Sequence, residues 1–165
     1  MTLVVADSSP ILYLIIINAI DLLPRLYPRV VLPPEVVAEL NHPNAPLEAQ
    51  RWASKLPNWV EVVSAQSIIR DLLDELLDPG EVAAIRIAEQ LSADLVLLDD
   101  RDARRIAEHR GLRIAGTIGL LESAAEKGLL ELKSAFEDLQ RTNFRIDPRF
   151  LNDALARDAA RREVK

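Results

Sequence analysis

The chain has 165 residues, 49% of them hydrophobic, which is enough to bury a real core within one domain. It has no cysteine and only two histidines, which excludes a disulfide framework, a cysteine-ligated zinc site and a histidine-rich metal site. A net charge of −6 argues against nonspecific attraction to a phosphate backbone.

Five short aliphatic runs alternate with amphipathic segments along the chain. They predict strands at residues 3–6, 29–32, 60–63, 95–98 and 112–115. Two of these runs, 3–6 and 95–98, are apolar at consecutive positions, which is typical of central parallel strands covered on both faces. Cap residues and apolar spacing predict helices at 10–17, 19–26, 34–41, 46–55, 66–75, 80–91, 101–109, 117–127, 132–141 and 148–161.

This alternation predicts an α/β fold with a mainly parallel central sheet. We expect a single domain over residues 1–165, with a core at about 3–140 and a helical extension at 148–161. The most apolar stretch, residues 11–20, is too short to span a bilayer, and no basic leader precedes it. We therefore expect a cytoplasmic protein without a membrane span.

Acidic residues directly follow two of the predicted strands. Asp7 comes after the first strand, and Asp99 and Asp100 come after the fourth. In an open parallel sheet, ligands bind beyond the carboxyl ends of the strands, so these carboxylates are candidate ligands. A single aspartate in such a place is more often a helix cap, and that interpretation stays open for each of them.

Two further acids are placed by helical periodicity. Glu39 borders the apolar face of the helix at 34–41, about 60° from Val36 on the helical wheel. Glu81 shares its face with Ala84, Ile85 and Ala88, so its carboxylate points inward at a helix start. Alternatively, Glu81 completes a capping box with Asp78, and Glu39 is a solvated helix residue.

Binding of one shared cation explains the positions of these four acids better than four unrelated roles as helix caps or solvated residues. Oxygen ligands without sulfur or imidazole select Mg²⁺ or Mn²⁺ over zinc. A carboxylate-held Mg²⁺ can activate water and neutralise charge on a phosphodiester, so that hydrolysis needs neither a cysteine nucleophile nor a histidine base.

With these residues in place, the chain resembles the PIN-domain family and, within it, the VapC-like toxin nucleases. The resemblance covers about residues 3–140 and is carried by "VVADSSPIL", "VLPPEVVAEL" and "LDPGEVAAIRIAEQLSADLVLLDDRDARRIAEHRGLRIAGTIGLL". It implies a three-layer α/β/α sandwich and a metal-dependent ribonuclease, often the toxin of a pair with a small antitoxin. It also implies an RNA substrate and a homodimer.

Carried over position by position, the resemblance implies four catalytic, metal-binding acids, Asp7, Glu39, Glu81 and Asp100, with Asp99 as an adjacent metal ligand. Many relatives have Asp where this chain has Glu81, and its Gly-Glu pair is similar to one PIN subfamily. Relatives also carry Thr or Ser where Leu98 stands, and Thr117 is a candidate to supply a hydroxyl instead.

Five arginines lie between residues 101 and 113, directly after the strand-end acids, and some of them can bind phosphates. We assign substrate contacts to Ser8, Arg101 and Thr117. For Arg104 and Arg105 individually, a solvated helix face is the slightly better interpretation.

Other functions remain possible for such a chain. A phosphoacceptor receiver domain would have an acid pair after the first strand and a late lysine, whereas this chain has Asp7 alone and no such lysine. A haloacid-type phosphatase would have Asp at the position of Ser9. The remaining alternative is a non-catalytic PIN-like scaffold or regulatory module whose acids serve only as helix caps.

Overall fold

The computed structural model describes residues 2–66 and 71–164. Within them, five parallel strands form one sheet. They are β1 (Leu3–Ala6), β2 (Arg29–Leu32), β3 (Val60–Val62), β4 (Leu95–Leu97) and β5 (Ile114–Ala115), in the spatial order β3-β2-β1-β4-β5. All four residues of β1 are buried, as expected for the middle strand of a parallel sheet.

Helices fill both faces of this sheet. In chain order they are α1 (Ser8–Ile16), α2 (Leu22–Leu26), α3 (Pro34–Leu40), α4 (Leu47–Ser54), α5 (Leu72–Leu76), α6 (Pro79–Gln90), α7 (Arg101–His109), α8 (Thr117–Glu126), α9 (Leu132–Gln140) and α10 (Pro148–Val164). The apolar faces of α1 to α4 and α8 to α10 join one core, and those of α5 to α7 join the other.

Alternate residues of each strand supply the two cores. Val4 and Ala6 of β1 face the α1 side, whereas Leu3 and Val5 face the α6 side. This two-residue period is the pleat of a strand, and it makes the sheet the middle layer of a three-layer sandwich. The predicted α/β/α fold is therefore confirmed.

Several elements end at other residues than the sequence predicts. Helix α1 begins at Ser8 rather than Pro10, because a proline is tolerated anywhere in the first turn, where N–H groups have no helical acceptor. Strand β5 starts at Ile114 rather than at 112, because Gly111 (φ +80°) ends α7 and the Leu112 N–H still donates to Ala107 O.

The helix predicted at 66–75 is shorter in the structure. Residue 66 is not helical, and α5 begins at Leu72 with Asp71 as its N-cap. Residues 67–70 lie outside the described part of the chain, so the prediction is not tested there. The C-terminal helix, predicted at 148–161, continues to Val164.

The apolar stretch 11–20 forms most of α1 and the turn after it. Ile15 is 8% exposed, and Ile16 and Ile17 are half-buried, so none of these three isoleucines is fully exposed. Across residues 2–66 and 71–164, no helix combines the length and apolarity needed to cross a membrane.

The sheet order places β1 between β2 and β4, so the chain leaves β1 toward one edge and later returns to the other. Such a reversal opens a crevice at the carboxyl ends of the central strands. Asp7 follows β1 there, and Asp99 and Asp100 follow β4.

Candidate metal centre

Asp7 is the first residue after β1 and lies at the N-cap position of α1. Its backbone N–H donates to Leu97 O at 3.0 Å, which holds it beside the end of β4. Its side chain is only 5% exposed, and Oδ1 has no hydrogen-bond partner within the described residues. A buried carboxylate oxygen without a partner is unfavourable, and a bound cation would remove that cost.

Two acidic side chains from other elements approach Asp7. Glu39 lies in the last turn of α3, and Asp78 directly precedes α6. One carboxylate oxygen from each of the three residues lies within 4.8 Å of the other two. Asp7 is buried, whereas Glu39 and Asp78 are exposed, so the trio combines a buried ligand with two that solvent reaches.

Gly80, the second residue of α6, lies directly against this trio. A Cβ at this position would lie 3.1 Å from both Asp7 Oδ1 and Glu39 Oε2, and 3.5 Å from Asp78 Oδ1. Glycine here leaves free the space in which the three carboxylates meet.

Glu81 lies at the start of α6 and is 7% exposed. Its Oε1 accepts from the Asp78 N–H at 3.1 Å, and Asp78 Oδ1 accepts from the Glu81 N–H at 2.8 Å. These reciprocal bonds form a capping box, which confirms that interpretation of the Asp-Pro-Gly-Glu turn. The cap also fixes both carboxylates next to Asp7.

Burial and mutual repulsion change the acidity of this group. Burial raises the pKa of Asp7 to about 8, with further increases from the charges of Asp78, Glu81 and Glu39, against the lowering effect of a hydrogen bond from the Ser8 N–H. Burial likewise raises the pKa of Glu81 to about 7, and the charges of Asp78 and Asp100 add to it. The site is thus short of positive charge.

Asp100 is exposed, and its Oδ2 accepts from the Ala103 N–H at 2.9 Å, so it is the N-cap of α7. Its charge nevertheless contributes to raising the pKa of Glu81, so the two carboxylates interact. We refer to Asp7, Glu39, Asp78, Glu81 and Asp100 as the acid centre. Four of them are the catalytic acids predicted from the sequence.

Asp99 occupies a different environment. Its Oδ1 accepts from the Thr117 N–H at 2.7 Å, and its Oδ2 accepts from Thr117 Oγ1 at 2.7 Å and from Ser9 Oγ at 2.8 Å. We call Ser9, Asp99 and Thr117 the Asp99 cluster; it joins α1, the end of β4 and α8. Both oxygens of Asp99 are therefore engaged by the protein, not by the acid centre.

The three predicted substrate contacts differ in exposure. Arg101 is exposed at the start of α7, and Ser8 is half-buried beside Asp7. Thr117 is fully buried and its hydroxyl donates to Asp99 Oδ2, while its contact with a substrate stays a prediction.

Sequence reasoning missed Asp78 as a member of the site and interpreted it only as a helix cap. The signal was present, because a capping side chain turns back over the helix start, where Glu81 already points. It also named Asp100 as the catalytic acid but kept the adjacent Asp99 as a further metal ligand. Strand period separates them: Leu98 faces the α6 side with Asp100, and Leu97 faces the α1 side with Asp99.

The residues present fit a hard divalent cation. The donors are carboxylate oxygens alone, which suits Mg²⁺ or Mn²⁺. Asp7 Oδ1 is buried without a hydrogen-bond partner among the described residues, and Gly80 keeps the adjacent space free of a side chain. Asp7, Glu39 and Asp78 would hold the ion, with Glu81 and Asp100 beside them.

A family model described as a PIN domain matches residues 3–159, from β1 into α10. No curated protein matches the chain.

Proposed function

Since the chain belongs to the PIN-domain family, whose members are in general metal-dependent nucleases, we propose that it is a Mg²⁺- or Mn²⁺-dependent ribonuclease that hydrolyses RNA phosphodiester bonds. The observation that carries the proposal is the acid centre, where a buried, unpartnered Asp7 oxygen meets Glu39 and Asp78. Acids in this arrangement repel a phosphate unless a cation joins them.

The division of roles follows from burial and hydrogen bonding. When bound, the divalent ion supplies an activated water and neutralises charge on the phosphodiester. Asp7, Glu39 and Asp78 hold the ion. Glu81 lies beside these ligands with its Oε1 held by the Asp78 N–H, and burial raises the pKa of its carboxyl, so it is the candidate general base.

The decisive experiment is cleavage of a mixed single-stranded RNA pool by the wild type and by Asp7→Asn, with Mn²⁺ or with EDTA. We expect cleavage by the wild type with Mn²⁺ alone and a loss of at least about a thousandfold in the variant. A metal ion contributes several kcal/mol to such transition states, and each 1.4 kcal/mol is about tenfold in rate.

Two further variants guard against misfolding as the cause. Asp78→Asn removes a charge from the acid centre but keeps a side chain that caps α6 well, so we expect a folded protein with reduced cleavage. Asp102→Asn is the matched control, because this exposed aspartate lies two residues beyond Asp100 and outside the acid centre. Cleavage that persists in EDTA or in Asp7→Asn would overturn the assignment.

One observation favours a second candidate, a non-catalytic PIN-like scaffold. Glu81 and Asp100 both accept backbone hydrogen bonds as helix caps, a role that needs no metal. Calorimetric titration with Mn²⁺ separates the two functions. A defined site that Asp7→Asn abolishes supports the nuclease, whereas the absence of binding supports the scaffold.

The proposal extends to a biological role as the toxin of a toxin–antitoxin pair, acting on cytoplasmic RNA and neutralised by a small antitoxin protein. It rests on the resemblance of the acid motifs to VapC-like nucleases. Induced expression in a bacterial host is expected to arrest growth, and Asp7→Asn is expected to relieve the arrest. Arrest that is equal in both forms would count against the role.

We also propose a homodimer, which the same resemblance supports. The half-buried Ile16 and Ile17 on and after α1 provide apolar surface for a second copy. Light scattering after size-exclusion chromatography gives the mass directly, and a mass of 18.4 kDa at micromolar concentration would exclude the dimer.

A further inference from the structure

Arg104 differs from the other basic residues of the described chain. It lies in the first half of α7 and is half-buried. Within residues 2–66 and 71–164, its guanidinium has no hydrogen-bond partner and no acidic oxygen within 4.0 Å. The other described lysines and arginines without a partner are all exposed. Holding a guanidinium partly out of water with none of its N–H groups hydrogen-bonded is unfavourable.

Gly116 lies directly beside the guanidinium of Arg104. A Cβ on Gly116 would lie 2.8 Å from Arg104 Nη1, 2.9 Å from Asp99 Oδ1 and 3.4 Å from Leu98 O. The Gly116 φ of −102° is open to any residue, so space, and not backbone conformation, requires glycine here. The guanidinium and the Asp99 carboxylate thus face each other across Gly116.

Asp99 lies near Arg104 but accepts no hydrogen bond from its guanidinium. Its oxygens already accept three hydrogen bonds from Ser9 and Thr117, as described above. These bonds stabilise the carboxylate without the guanidinium, whose five N–H donors stay available to another anion. A planar guanidinium matches the oxygens of a phosphate with two parallel hydrogen bonds.

The position of Arg104 relative to the acid centre is also fixed. Its backbone N–H donates to Asp100 O at 2.9 Å, so its backbone lies four residues, about 6 Å along the helix axis, beyond an acid-centre residue. A polyanionic substrate must approach five carboxylates, and a cation on the helix that Asp100 caps lowers that barrier.

We propose that Arg104 binds a backbone phosphate of the nucleic-acid substrate next to the acid centre, and that Gly116 provides the space for its guanidinium. This inference rests on the proposed nuclease function and names a substrate-binding residue for it. It adds to the predicted contacts at Ser8 and Arg101, and it reverses the sequence-based preference for a merely solvated Arg104.

The test measures binding of a fluorescein-labelled single-stranded RNA of mixed sequence by anisotropy. Proteins carry Asp7→Asn to prevent cleavage, and the salt concentration is varied. Arg104→Gln is expected to weaken binding at least about tenfold. It is also expected to lower the slope of log K against log salt by the amount that corresponds to about one lost phosphate contact. Arg104→Lys is expected to restore part of the affinity and most of the slope.

Arg105→Gln is the matched control, because it removes the same charge from the next, exposed residue of α7. Its salt slope is expected to stay close to that of the parent. Gly116→Ala is expected to weaken binding less than Arg104→Gln does, because the added methyl group would lie 2.8 Å from Nη1, at the flexible end of the arginine, which moves aside but keeps its charge. Thermal unfolding of each variant distinguishes a lost contact from a lost fold.

Two results would overturn the inference. If Arg104→Gln matches Arg105→Gln in affinity and slope while the parent binds RNA, Arg104 is not a phosphate ligand, and the nuclease proposal stands. If the parent does not bind RNA and the wild type does not cleave it, both proposals fall together.

Discussion

Two groups of acidic side chains in this molecule differ in whether basic residues of the chain pair with them. In a C-terminal network, Glu122 of α8 accepts hydrogen bonds from Arg157 at 2.8 Å and from Arg161 at 3.2 Å. Asp158, 6% exposed, pairs with Arg161 and Arg162. By contrast, none of the basic residues in the described part of the chain forms an ion pair with the acid centre.

The pKa directions show the consequence. Hydrogen bonds from Arg157, then from Arg161, hold the pKa of Glu122 below its ordinary value, although partial burial opposes them. Burial without such donors raises the pKa of Asp7 to about 8. In the C-terminal network, arginines of the chain neutralise the acids that join α8 to α10. The acid centre has no such arginine among the described residues, and the space beside Asp7 Oδ1 is free for a cation from solution.

The largest effect expected from this contrast is stabilisation by metal. At about 1,000 times its dissociation constant, Mn²⁺ is expected to stabilise the wild type by about 4 kcal/mol. Asp7→Asn is expected to abolish this gain and to raise the stability of the metal-free protein, because a neutral amide is cheaper to bury than a carboxylate. Urea unfolding with Mn²⁺ and with EDTA measures both changes.

Asp102→Asn serves as the control for that comparison and is expected to keep the full metal response. If Mn²⁺ stabilises Asp7→Asn as much as the wild type, the ion binds elsewhere, and the contrast between the two groups loses its functional meaning.

The second effect is a pH dependence of the metal-free protein. The folded pKa values of Asp7 and Glu81, about 8 and about 7, exceed their ordinary values of 3.8 and 4.5. Between those limits the folded state binds more protons than the unfolded state, so stability falls as pH rises. The slope reaches up to about 1.4 kcal/mol per pH unit for each group and flattens above about pH 8.

Urea unfolding in EDTA between about pH 5 and about pH 7 tests this slope. Asp7→Asn is expected to flatten it, and saturating Mn²⁺ is expected to remove it, because the bound ion keeps the carboxylates ionised. Stability that rises across this range in EDTA would show that the acid centre is not short of positive charge.

A smaller effect is expected from Gly80→Ala. The added methyl group would lie 3.1 Å from Asp7 Oδ1 and Glu39 Oε2, so the carboxylates must move slightly apart. We expect metal affinity to fall about tenfold to a hundredfold. Alanine favours the helix by up to about 1 kcal/mol, so metal-free stability is expected to stay equal or to increase.

Gly119→Ala is the matched control for this substitution. It also places a methyl group near the start of a helix, but the nearest atom is Ala115 Cβ at an ordinary 3.8 Å. Unchanged Mn²⁺ affinity in Gly80→Ala would mean that the space beside Gly80 is not used by the ion.

The two groups also differ in how far the sequence predicted them. Consecutive apolar residues mark β1 and β4, and the acids after them follow directly, so Asp7 and Asp100 could be named from the sequence. Helical periodicity added Glu39 and Glu81. Their joint role as metal ligands stays a prediction, which the experiments above test.

What the sequence could not supply depends on contacts between distant segments. Strand period separates Asp99 from Asp100, but which of the two sides holds Ser9 and which holds Glu81 depends on how the helices pack on the sheet. The space at Gly116 depends on where the Arg104 side chain lies, which no local pattern encodes. Glu122 and Arg157 are 35 residues apart and meet only because α8 packs on α10.

The smallest effect on Mn²⁺ binding is expected in the C-terminal network, where basic residues of the chain pair with the acids. Arg161→Gln leaves the buried Asp158 with Arg162 alone and removes one donor from Glu122, so we expect a loss of about 1 to 3 kcal/mol in urea unfolding. Mn²⁺ affinity is expected to stay unchanged.

Arg149→Gln, which breaks an exposed ion pair with Asp147, is the control and should change stability little. Because the pKa of Glu122 is lowered in the folded state, the contribution of this network is present above its ordinary 4.5 and is lost as pH falls further, the reverse of the acid centre. A variant that loses Mn²⁺ binding together with stability would show that the two groups are coupled.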